Sequence, residues 1–413
     1  MSERFTQKPV IMDDALSTGK LKVSQLMTLV ENHPYCAAIA DIFKTEDAKD
    51  EWIIVDHIDT VFKRLKYINE HFERFAIKAQ TKHISIRESA TPVADLSNPH
   101  PLIFNFDEYI LGKDMNNDLD CFAIYDAKNS YFDNYDMAKY ANKLYKIGLG
   151  ALAQYNLGYF KDLATNDRRY NKLKSYRLVS NNGQLFLRGI TSVDKYFEYG
   201  VDFTFVVAML TLHRDMQQHT GNEYQITSAG VSESKLELFV ADKFTKDAGE
   251  FGKVGSALAI STNDLGQGSL NFTKIFRVGG RLHNGIYLFP NKEKTRKHKL
   301  QISHSTGVQK VLTYLHEVGL MLNDTDETID ELKNIKGIKT PDELRAHIER
   351  KITSPNSAFK SVQALKDIFK PKIDNQVKGF VKLLEMCNKA EELDIDYDLK
   401  EKLRYIISDI LLK

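Results

Sequence analysis

The chain has 413 residues, of which 42% are hydrophobic and 27% are charged, a composition typical of globular proteins. Its 57 basic residues almost balance its 56 acidic residues, which argues against a protein that coats polyanions over its whole surface but allows local basic patches. The length predicts two or three domains.

The three cysteines, Cys36, Cys121 and Cys387, are too far apart to suggest a disulfide framework, and none has the spacing of a zinc site. They favour a reducing compartment. The first residues contain no apolar signal segment. The longest apolar stretch, near residues 203–212, is far shorter than the ~20 residues of a membrane helix. We therefore expect a cytoplasmic protein that makes no membrane contact.

The N-terminal region, residues 1–158, is predicted to be mostly helical with one short β-hairpin. Apolar residues at helical spacing predict helices over much of residues 21–77. Residues 102–106 and 121–125 are typical of short strands. The polar segment between them, residues 112–120, is predicted to be their turn.

The segment 136–155 predicts a single helix, because its apolar residues form one stripe at helical spacing. Asp136 is a suitable N-cap for this helix. Gly158, which follows, is a natural stop.

The central region, residues 159–304, is predicted to be an α+β core. Its short apolar segments are rich in β-branched or aromatic residues and are separated by Gly, Ser, Asn or Asp. A strongly apolar helix is expected at residues 202–218. The connections between the later strands are too short for crossover helices, so the strands should be antiparallel. The strands are predicted at residues 184–190, 224–229, 235–241, 256–261, 270–278 and 285–288.

The C-terminal region, residues 305–413, is predicted to be all-helical. Thr340, Pro341 and Glu343 have the residue types of an N-cap, a first helical position and a capping-box partner. Further helices are expected at residues 359–369, 377–387 and 397–412. The predicted fold class is therefore α+β, with a helical N-terminal part, a central antiparallel β-meander packed on a helix, and a helical tail.

Several motifs are too incomplete to indicate chemistry. Residues 266–270 resemble half of a phosphate-binding loop but join two strands, so a turn is the better interpretation. The S-x-x-K pattern at residues 17–20 and 232–235 lacks the companion motifs of an acylating enzyme. The histidines of the segment after residue 282 lack metal-ligand spacing; they are His283, His298, His304 and His316. We expect no catalytic residues, no metal and no cofactor.

Two basic segments flank the central strands. The first, residues 161–177, interleaves lysine and arginine with tyrosine, and the second, residues 292–299, is almost entirely basic. Basic side chains neutralise phosphates, and aromatic rings stack on unpaired bases. The alternative is that each segment is a solvated loop. The predicted nucleic-acid contacts are Arg168, Arg169, Tyr170, Lys172, Tyr176, Lys294, Arg296 and Lys297.

The centre of the chain also resembles a known family. The similarity lies in residues 188–196 (RGITSVDKY), 261–270 (STNDLGQGSL), 276–278 with Asn284 and Gly285, and 296–298 (RKH). These stretches are similar to an uncharacterised phage/plasmid-like family, a domain of unknown function found in prophage YfjQ-like proteins. The resemblance covers about residues 175–320 and implies a setting in mobile-element biology. The family brings no established activity.

The sequence is compatible with three classes of function. The leading hypothesis is a non-catalytic nucleic-acid-binding protein of a phage or mobile element, binding single strands without sequence preference during recombination or replication. A helix carrying an antiparallel meander with basic edges is also similar to the plan of RecT and Red-beta annealing proteins, an analogy of fold alone. The second hypothesis is a structural protein, such as a virion component or a homo-oligomeric scaffold. The third is an enzyme such as a nuclease, using scattered carboxylates like Asp242 and Glu237.

Overall fold

Two β-sheets organise the chain, one of nine strands and one of six, and helices pack on them. The computed structural model describes residues 5–93, 96, 101–164, 171–266, 269–279, 285–290, 298–315, 318, 329–330, 332–334, 339–371 and 377–412. Helices and strands are distributed along the whole described chain, so the α+β class predicted from the sequence is confirmed.

The strands are β1 (Lys8–Pro9), β2 (Lys20–Lys22), β3 (Trp52–Asp56), β4 (Glu73–Gln80), β5 (Ile84–Glu88), β6 (Leu102–Leu111), β7 (Asp114–Ala123), β8 (Leu173–Asn181), β9 (Gln184–Ser192), β10 (Tyr224–Val231), β11 (Lys235–Asp247), β12 (Lys253–Asn263), β13 (Ser269–Val278), β14 (Ile286–Leu288) and β15 (Lys299–Ser303).

The α-helices are α1 (Val23–Met27), α2 (Cys36–Phe43), α3 (Ile58–His71), α4 (Ala127–Asp133), α5 (Ala138–Lys146), α6 (Gly150–Ala164), α7 (Gly200–Gln218), α8 (Val308–Tyr314), α9 (Pro341–Thr353), α10 (Gln363–Phe369), α11 (Phe380–Glu391) and α12 (Tyr397–Leu411). Within the described residues, no helix is both long enough and apolar enough to cross a membrane.

The nine-stranded sheet contains the central strands. Its order is β14-β13-β12-β11-β10-β3-β2, with β1 on β10 and β15 on β13. Strands β10 to β14 form an antiparallel meander, which confirms the prediction for this part of the chain. Strand β3 joins β10 in parallel, with Val55 opposite Tyr224. The sheet therefore extends into the N-terminal region, a pairing that the sequence does not indicate.

Helix α7 packs against the nine-stranded sheet and is buried on all sides through its first three turns. It is apolar around its whole circumference, the pattern of a helix inside a core rather than on its surface. Its two threonines satisfy their hydroxyl groups within the helix. Thr204 donates to the carbonyl of Gly200 at 2.7 Å, and Thr211 donates to that of Val207 at 2.7 Å.

The six-stranded sheet has the order β4-β8-β9-β7-β6-β5. Helices α4, α5 and α6 share a core with it, in which Phe104, Phe106, Tyr131 and Tyr176 are fully buried. The predicted domain boundary at residue 158 falls inside this unit, because β4 before it pairs with β8 after it along their whole length.

Two predictions about the N-terminal region are wrong. The described residues of the region form seven strands beside its helices, where one short hairpin is expected from the sequence. Residues 112–120 are not a turn, because β6 and β7 continue until only Gly112 and Lys113 separate them. The outer part of this hairpin is exposed on both faces, so polar side chains occupy strand positions and imitate the composition of a loop.

The single helix predicted at residues 136–155 is two helices, α5 and α6, separated at Gly148, whose φ is 78°. Asp136 is not the N-cap, since it has a φ of 56° and Met137 occupies that position. Gly158 does not stop the helix either, because α6 continues to Ala164. The apolar residues keep a helical spacing across Gly148 because both α5 and α6 pack on the same hydrophobic core.

The C-terminal helices cover part of the opposite face of the nine-stranded sheet. The capping box predicted at Thr340 is confirmed, since Thr340 and Glu343 exchange hydrogen bonds. Arg404 of α12 is buried and pairs with Glu237 of β11 at 2.5 Å and with Glu391 of α11. Gly230 of β10 allows the start of α12 to approach the sheet, because a Cβ at this position would clash with the ring of Tyr397.

The packing of α7 on the sheet predicts a large effect of the Leu238→Ala substitution, because Leu238 is fully buried in that core. We expect a loss of about 2–5 kcal/mol in the free energy of unfolding. Phe244→Ala, on the same strand, is the control, because Phe244 is 66% exposed. That change should stay within about 0.5 kcal/mol. Urea denaturation followed by circular dichroism measures both, and equal losses would contradict this packing.

Candidate functional site

The first basic segment enters the six-stranded sheet. Lys172 is exposed just before β8, and Lys174 lies on the strand itself, half-buried. Burial, and then the charge of Lys172, lower the pKa of Lys174. Arg168, Arg169 and Tyr170 lie outside the described residues. Of the predicted contacts in this segment, Lys172 is therefore the one that the structure places at the surface.

Tyr176 cannot stack on a base. Its side chain is fully buried in the core of the six-stranded sheet, with its ring centre 4.9 Å from that of Phe106 in an edge-on arrangement. Burial raises the pKa of its hydroxyl well above the ordinary value. The prediction for Tyr176 is wrong because its side chain points towards the apolar residues of β4 and β6. It therefore lies in the hydrophobic core and not at the surface.

The second basic segment lies between β14 and β15, which both pair with β13. Lys299 begins β15 and is half-buried. Lys294, Arg296 and Lys297 lie outside the described residues. The described strands on either side of this segment, β14 and β15, both lie along the same edge of β13 in the nine-stranded sheet.

The loop between β12 and β13 connects β8 and β9 with the end of β15. Lys174 of β8 pairs with Ser192 of β9. The preceding residue, Thr191, packs against Gly266 of the loop. A few residues later, Ser269 pairs with Ser303 at the end of β15. The start of β8 and the end of β15 are thus linked through a short path of contacts.

A close backbone approach fixes this loop on the six-stranded sheet. A Cβ at Gly189 of β9 would lie 2.8 Å from the carbonyl oxygen of Leu265. A side chain at this position would have to displace the loop, so the approach requires glycine.

Buried ion pairs lie beside this contact and join the two sheets. Arg177 of β8 donates to Asp264 at 2.8 Å and also pairs with Glu198. Arg188 of β9 donates to Glu198 at 2.9 Å and to Ser234 at 3.0 Å. Both arginines and Asp264 are almost fully buried, whereas the Glu198 side chain is 43% exposed. We call these four charged residues the junction.

Aromatic rings close one side of the junction. Tyr196 donates to Asp264 at 3.0 Å, and the Arg177 guanidinium lies 4.8 Å from the centre of its ring. His304 stacks on the other side of Tyr196, with ring centres 4.6 Å apart. The backbone of His304 accepts a hydrogen bond from Phe197 at 2.6 Å. The end of β15 and the segment before α7 are therefore held to the same point.

Electrostatics keep the junction ionised. Burial alone would raise the pKa of Asp264, but Arg177 and Arg188 hold it well below the ordinary value. Burial would lower the pKa of Arg177, and Asp264 and Glu198 raise it instead. A carboxylate locked in its charged form by two guanidinium groups is a poor proton donor or acceptor near neutral pH. The arrangement is suited to holding elements together rather than to acid-base chemistry.

A second buried group extends the network. Arg74 of β4 donates to Asp202 of α7 at 2.6 Å and to the carbonyl of Glu233 at 3.2 Å. Glu233 accepts hydrogen bonds from Tyr125 and Ser234, each at 2.8 Å, and burial raises its pKa. Residues of both sheets and of α7 thus meet in one continuous polar layer.

The incomplete motifs have structural roles. Ser17 donates to Asp59 at 2.7 Å and accepts from the backbone amides of Gly19 and His57. Ser232 accepts from the amide of Lys235 in a turn. Of the four histidines considered as ligands, His283 and His316 lie outside the described residues. Across the described ranges, no three His, Cys, Asp or Glu residues are grouped as they would be around a metal ion.

A groove of about 750 Å³ runs between the six-stranded unit and the start of α12. This volume is typical of small-molecule sites. Its walls carry both charges. Lys128 lies 4.9 Å from the ring centre of Tyr145, and Lys235 is 3.5 Å from Asp398. Because the groove pairs its own lysines in this way, it does not single out an anionic ligand.

The junction residues were not predicted from the sequence as a site. Arg177 was counted with the first basic segment, and Arg188 and Asp264 appeared as parts of the family resemblance. A signal was present, because Arg188 stands beside a glycine inside a strand, which often marks a close backbone approach.

Comparisons of the chain with family models, curated proteins and solved structures find no match.

The junction predicts an acid-sensitive stability. Because the pKa of Asp264 is lowered on folding, its contribution is present above its unfolded pKa of about 3.9 and is lost as the pH falls below that value. Asp264→Asn should destabilise the protein at pH 7 by about 3–5 kcal/mol, since it removes the buried carboxylate and leaves two buried guanidinium groups to share Glu198. The variant should also lose less stability than the parent between about pH 5 and pH 3.

Urea denaturation across this pH range tests both effects. Asp41→Asn is the control, because Asp41 is exposed on α2. Its free energy of unfolding should match the parent at pH 7. An Asp264→Asn variant as stable as the parent would rule out the junction as a stabilising feature.

Proposed function

We propose that the protein is a non-catalytic nucleic-acid-binding protein of a phage or mobile element, acting on single strands during recombination or replication in the cytoplasm. The observation that carries this proposal is the path from Lys174 through residues 264–266 to the end of β15. It links β8 and β15, the two strands into which the basic segments lead, although the segments are separated by more than a hundred residues of sequence.

The stretches that resemble the phage/plasmid-like family supply residues of the junction and of the loop beside it. Arg188 and Tyr196 come from one stretch, and Asp264 and Gly266 come from another. Tyr196 donates a hydrogen bond to Asp264, and both Arg188 and Arg177 form ion pairs with Glu198. The resemblance itself stays a prediction. It is consistent with a fold whose shared residues build the junction.

Binding in this proposal is driven by the phosphate backbone. Arg168, Arg169 and Lys172 act from one segment, and the second segment contributes Lys294, Arg296 and Lys297. Tyr170 is the remaining candidate for base stacking, because Tyr176 is buried. Contacts of this kind give strong salt dependence and little sequence preference.

A structural or scaffold protein is the second candidate. It is favoured by a separate observation, the large exposed apolar face of α6. An apolar surface of that size is typical of an interaction site. The two candidates are compatible, because the exposed apolar residues of α6 include none of the predicted nucleic-acid contacts.

The direct test is fluorescence anisotropy with labelled single-stranded DNA at about 50 mM salt, where non-specific binders show Kd values of about 10⁻⁴–10⁻⁶ M. We expect binding by the parent protein. The triple variant Arg168→Glu, Arg169→Glu and Lys172→Glu should bind more weakly. It should reduce the slope of log K against log salt by about 2, since each lost single-strand phosphate contact removes about 0.7.

The matched control reverses three exposed lysines of the C-terminal helices, Lys382, Lys389 and Lys402, with the same change in net charge. This control should retain the parent affinity and slope. Absence of binding by the parent would refute the proposal. Equal weakening by both triple variants would show that net charge, and not the first basic segment, drives binding.

The two tyrosines of the first segment should respond differently. Tyr170→Ala removes a candidate stacking ring and should weaken DNA binding by about 1–3 kcal/mol. Tyr176→Phe keeps a ring that is buried in the core, so we expect unchanged affinity. The same anisotropy assay compares them, and circular dichroism verifies folding. A loss of affinity in Tyr176→Phe alone would contradict the assignment of these rings.

A further inference from the structure

Helix α6 is apolar on two opposite sides. Its inner side, with Ala153 and Leu157, is buried in the core of the six-stranded unit. Its outer side presents large apolar residues at spacings of three and four, which is helical periodicity. These residues are Leu152 (43% exposed), Tyr155 (78%), Tyr159 (64%) and Leu163 (41%).

The outer side of α6 lacks the charges of an ordinary surface helix. Lys161 and Asp162 are the charged residues between Gly150 and Ala164, and both stand near the C-terminal end. A helix that packs by one face normally carries polar and charged residues on the other. The outer side of α6 therefore has the character of a surface that is covered by a partner.

The apolar surface extends beyond α6. Tyr140 of α5 is adjacent, since its hydroxyl accepts a hydrogen bond from Asn156 at 3.1 Å. Ile147 and Leu149 in the connection between α5 and α6 are also exposed, at 60% and 50%. Together with the four residues of α6, these exposures amount to almost four complete large side chains, or about 700 Å². We call this surface the α6 face.

The area suits a second copy of the chain. If two α6 faces cover each other, they bury about 1,400 Å² in total, which lies in the range of stable protein–protein interfaces. A two-fold interface requires a surface that is complementary to itself. The area is therefore large enough for a dimer interface. The order of the residues decides whether the surface is complementary to itself.

The outer residues of α6 read almost the same in both directions, as Leu-Tyr-Tyr-Leu. The midpoint of Tyr155 and Tyr159 is residue 157, and that of Leu152 and Leu163 falls between residues 157 and 158. An antiparallel second copy, related by a two-fold axis at this point, places each leucine opposite the other leucine. The same axis places Tyr155 opposite Tyr159 of the second copy.

Gly158 lies level with the middle of this stripe along the helix axis, but about 100° around the helix from it, because successive residues of an α-helix turn by about 100°. The space at its Cβ position is open, with nothing within 4 Å. The stripe of leucine and tyrosine side chains, and not this glycine, therefore forms the contact in the antiparallel arrangement.

We propose that the α6 face is a self-association surface, through which two copies of the chain form a homodimer by antiparallel pairing of α6 about a two-fold axis midway between Tyr155 and Tyr159. The inference stands apart from the proposed function, since it involves none of the residues assigned to nucleic-acid binding.

The first experiment measures mass in solution by light scattering during size-exclusion chromatography. The parent chain should elute with twice its own mass. The double variant Leu152→Glu and Leu163→Glu should elute as a monomer, because the antiparallel pairing places its like charges opposite each other at both ends of the stripe. Its fold should be intact, since these leucines are 43% and 41% exposed. Tyr67→Glu is the control, at an exposed tyrosine of α3, and it should remain dimeric.

The second experiment tests the antiparallel register by sedimentation equilibrium. Tyr155→Lys and Tyr159→Glu should each raise the dimer Kd at least tenfold, because each places a charge against an apolar partner. The double variant should recover most of this loss, since the antiparallel pairing brings the two new charges of opposite sign together. A parallel pairing would place like charges opposite each other, and the double variant would be weaker than either single variant.

A parent chain that is monomeric at about 100 μM would overturn the proposal, because interfaces of this size bind with micromolar or lower Kd values. A dimer that Tyr159→Glu and the double variant of Leu152 and Leu163 leave unchanged would overturn it as well. Failure of either experiment leaves the DNA-binding assay unaffected, so the two proposals are tested separately.

Discussion

The charge balance of the junction is the constraint on which the arrangement of the two sheets depends. Arg177 and Arg188 are held inside the protein, where an unpaired charge would destabilise the fold by several kcal/mol. Their partners, Asp264 and Glu198, do not belong to the same sheet. The arginines can therefore be buried only when the loop between β12 and β13 and the segment before α7 are both in place.

This requirement has consequences for the elements around the junction. Glu198 stands just before α7, so the pairing fixes where the central helix begins. Tyr196 and His304 stack, which attaches the end of β15 to the same point. The loop reaches the six-stranded sheet because Gly189 offers no side chain to obstruct it. Both basic segments lead into strands that are anchored here, β8 and β15, whereas the α6 face lies on the helical layer of the six-stranded unit.

The elements that could be predicted are those whose own sequence carries a periodic signal. Helix α7 is apolar throughout, and the strands of the central meander alternate between punctuating turns. The elements that were missed depend on distant partners. Residues 114–120 form a strand because β6 lies beside them, although their composition is that of a loop. Strand β3 joins the central sheet through β10, which is more than 150 residues away.

The sequence by itself determined the fold class, the central meander, the capped start at Thr340 and the positions of the basic segments. These features follow from local propensity and periodicity, which a short window of residues contains. Only the tertiary structure decided which charged residues are buried. Arg177 and Tyr176 look like parts of a basic, aromatic surface until the core of the six-stranded unit covers Tyr176 and the 264–266 loop covers Arg177. Burial is a property of the assembled sheets, and no local pattern contains it.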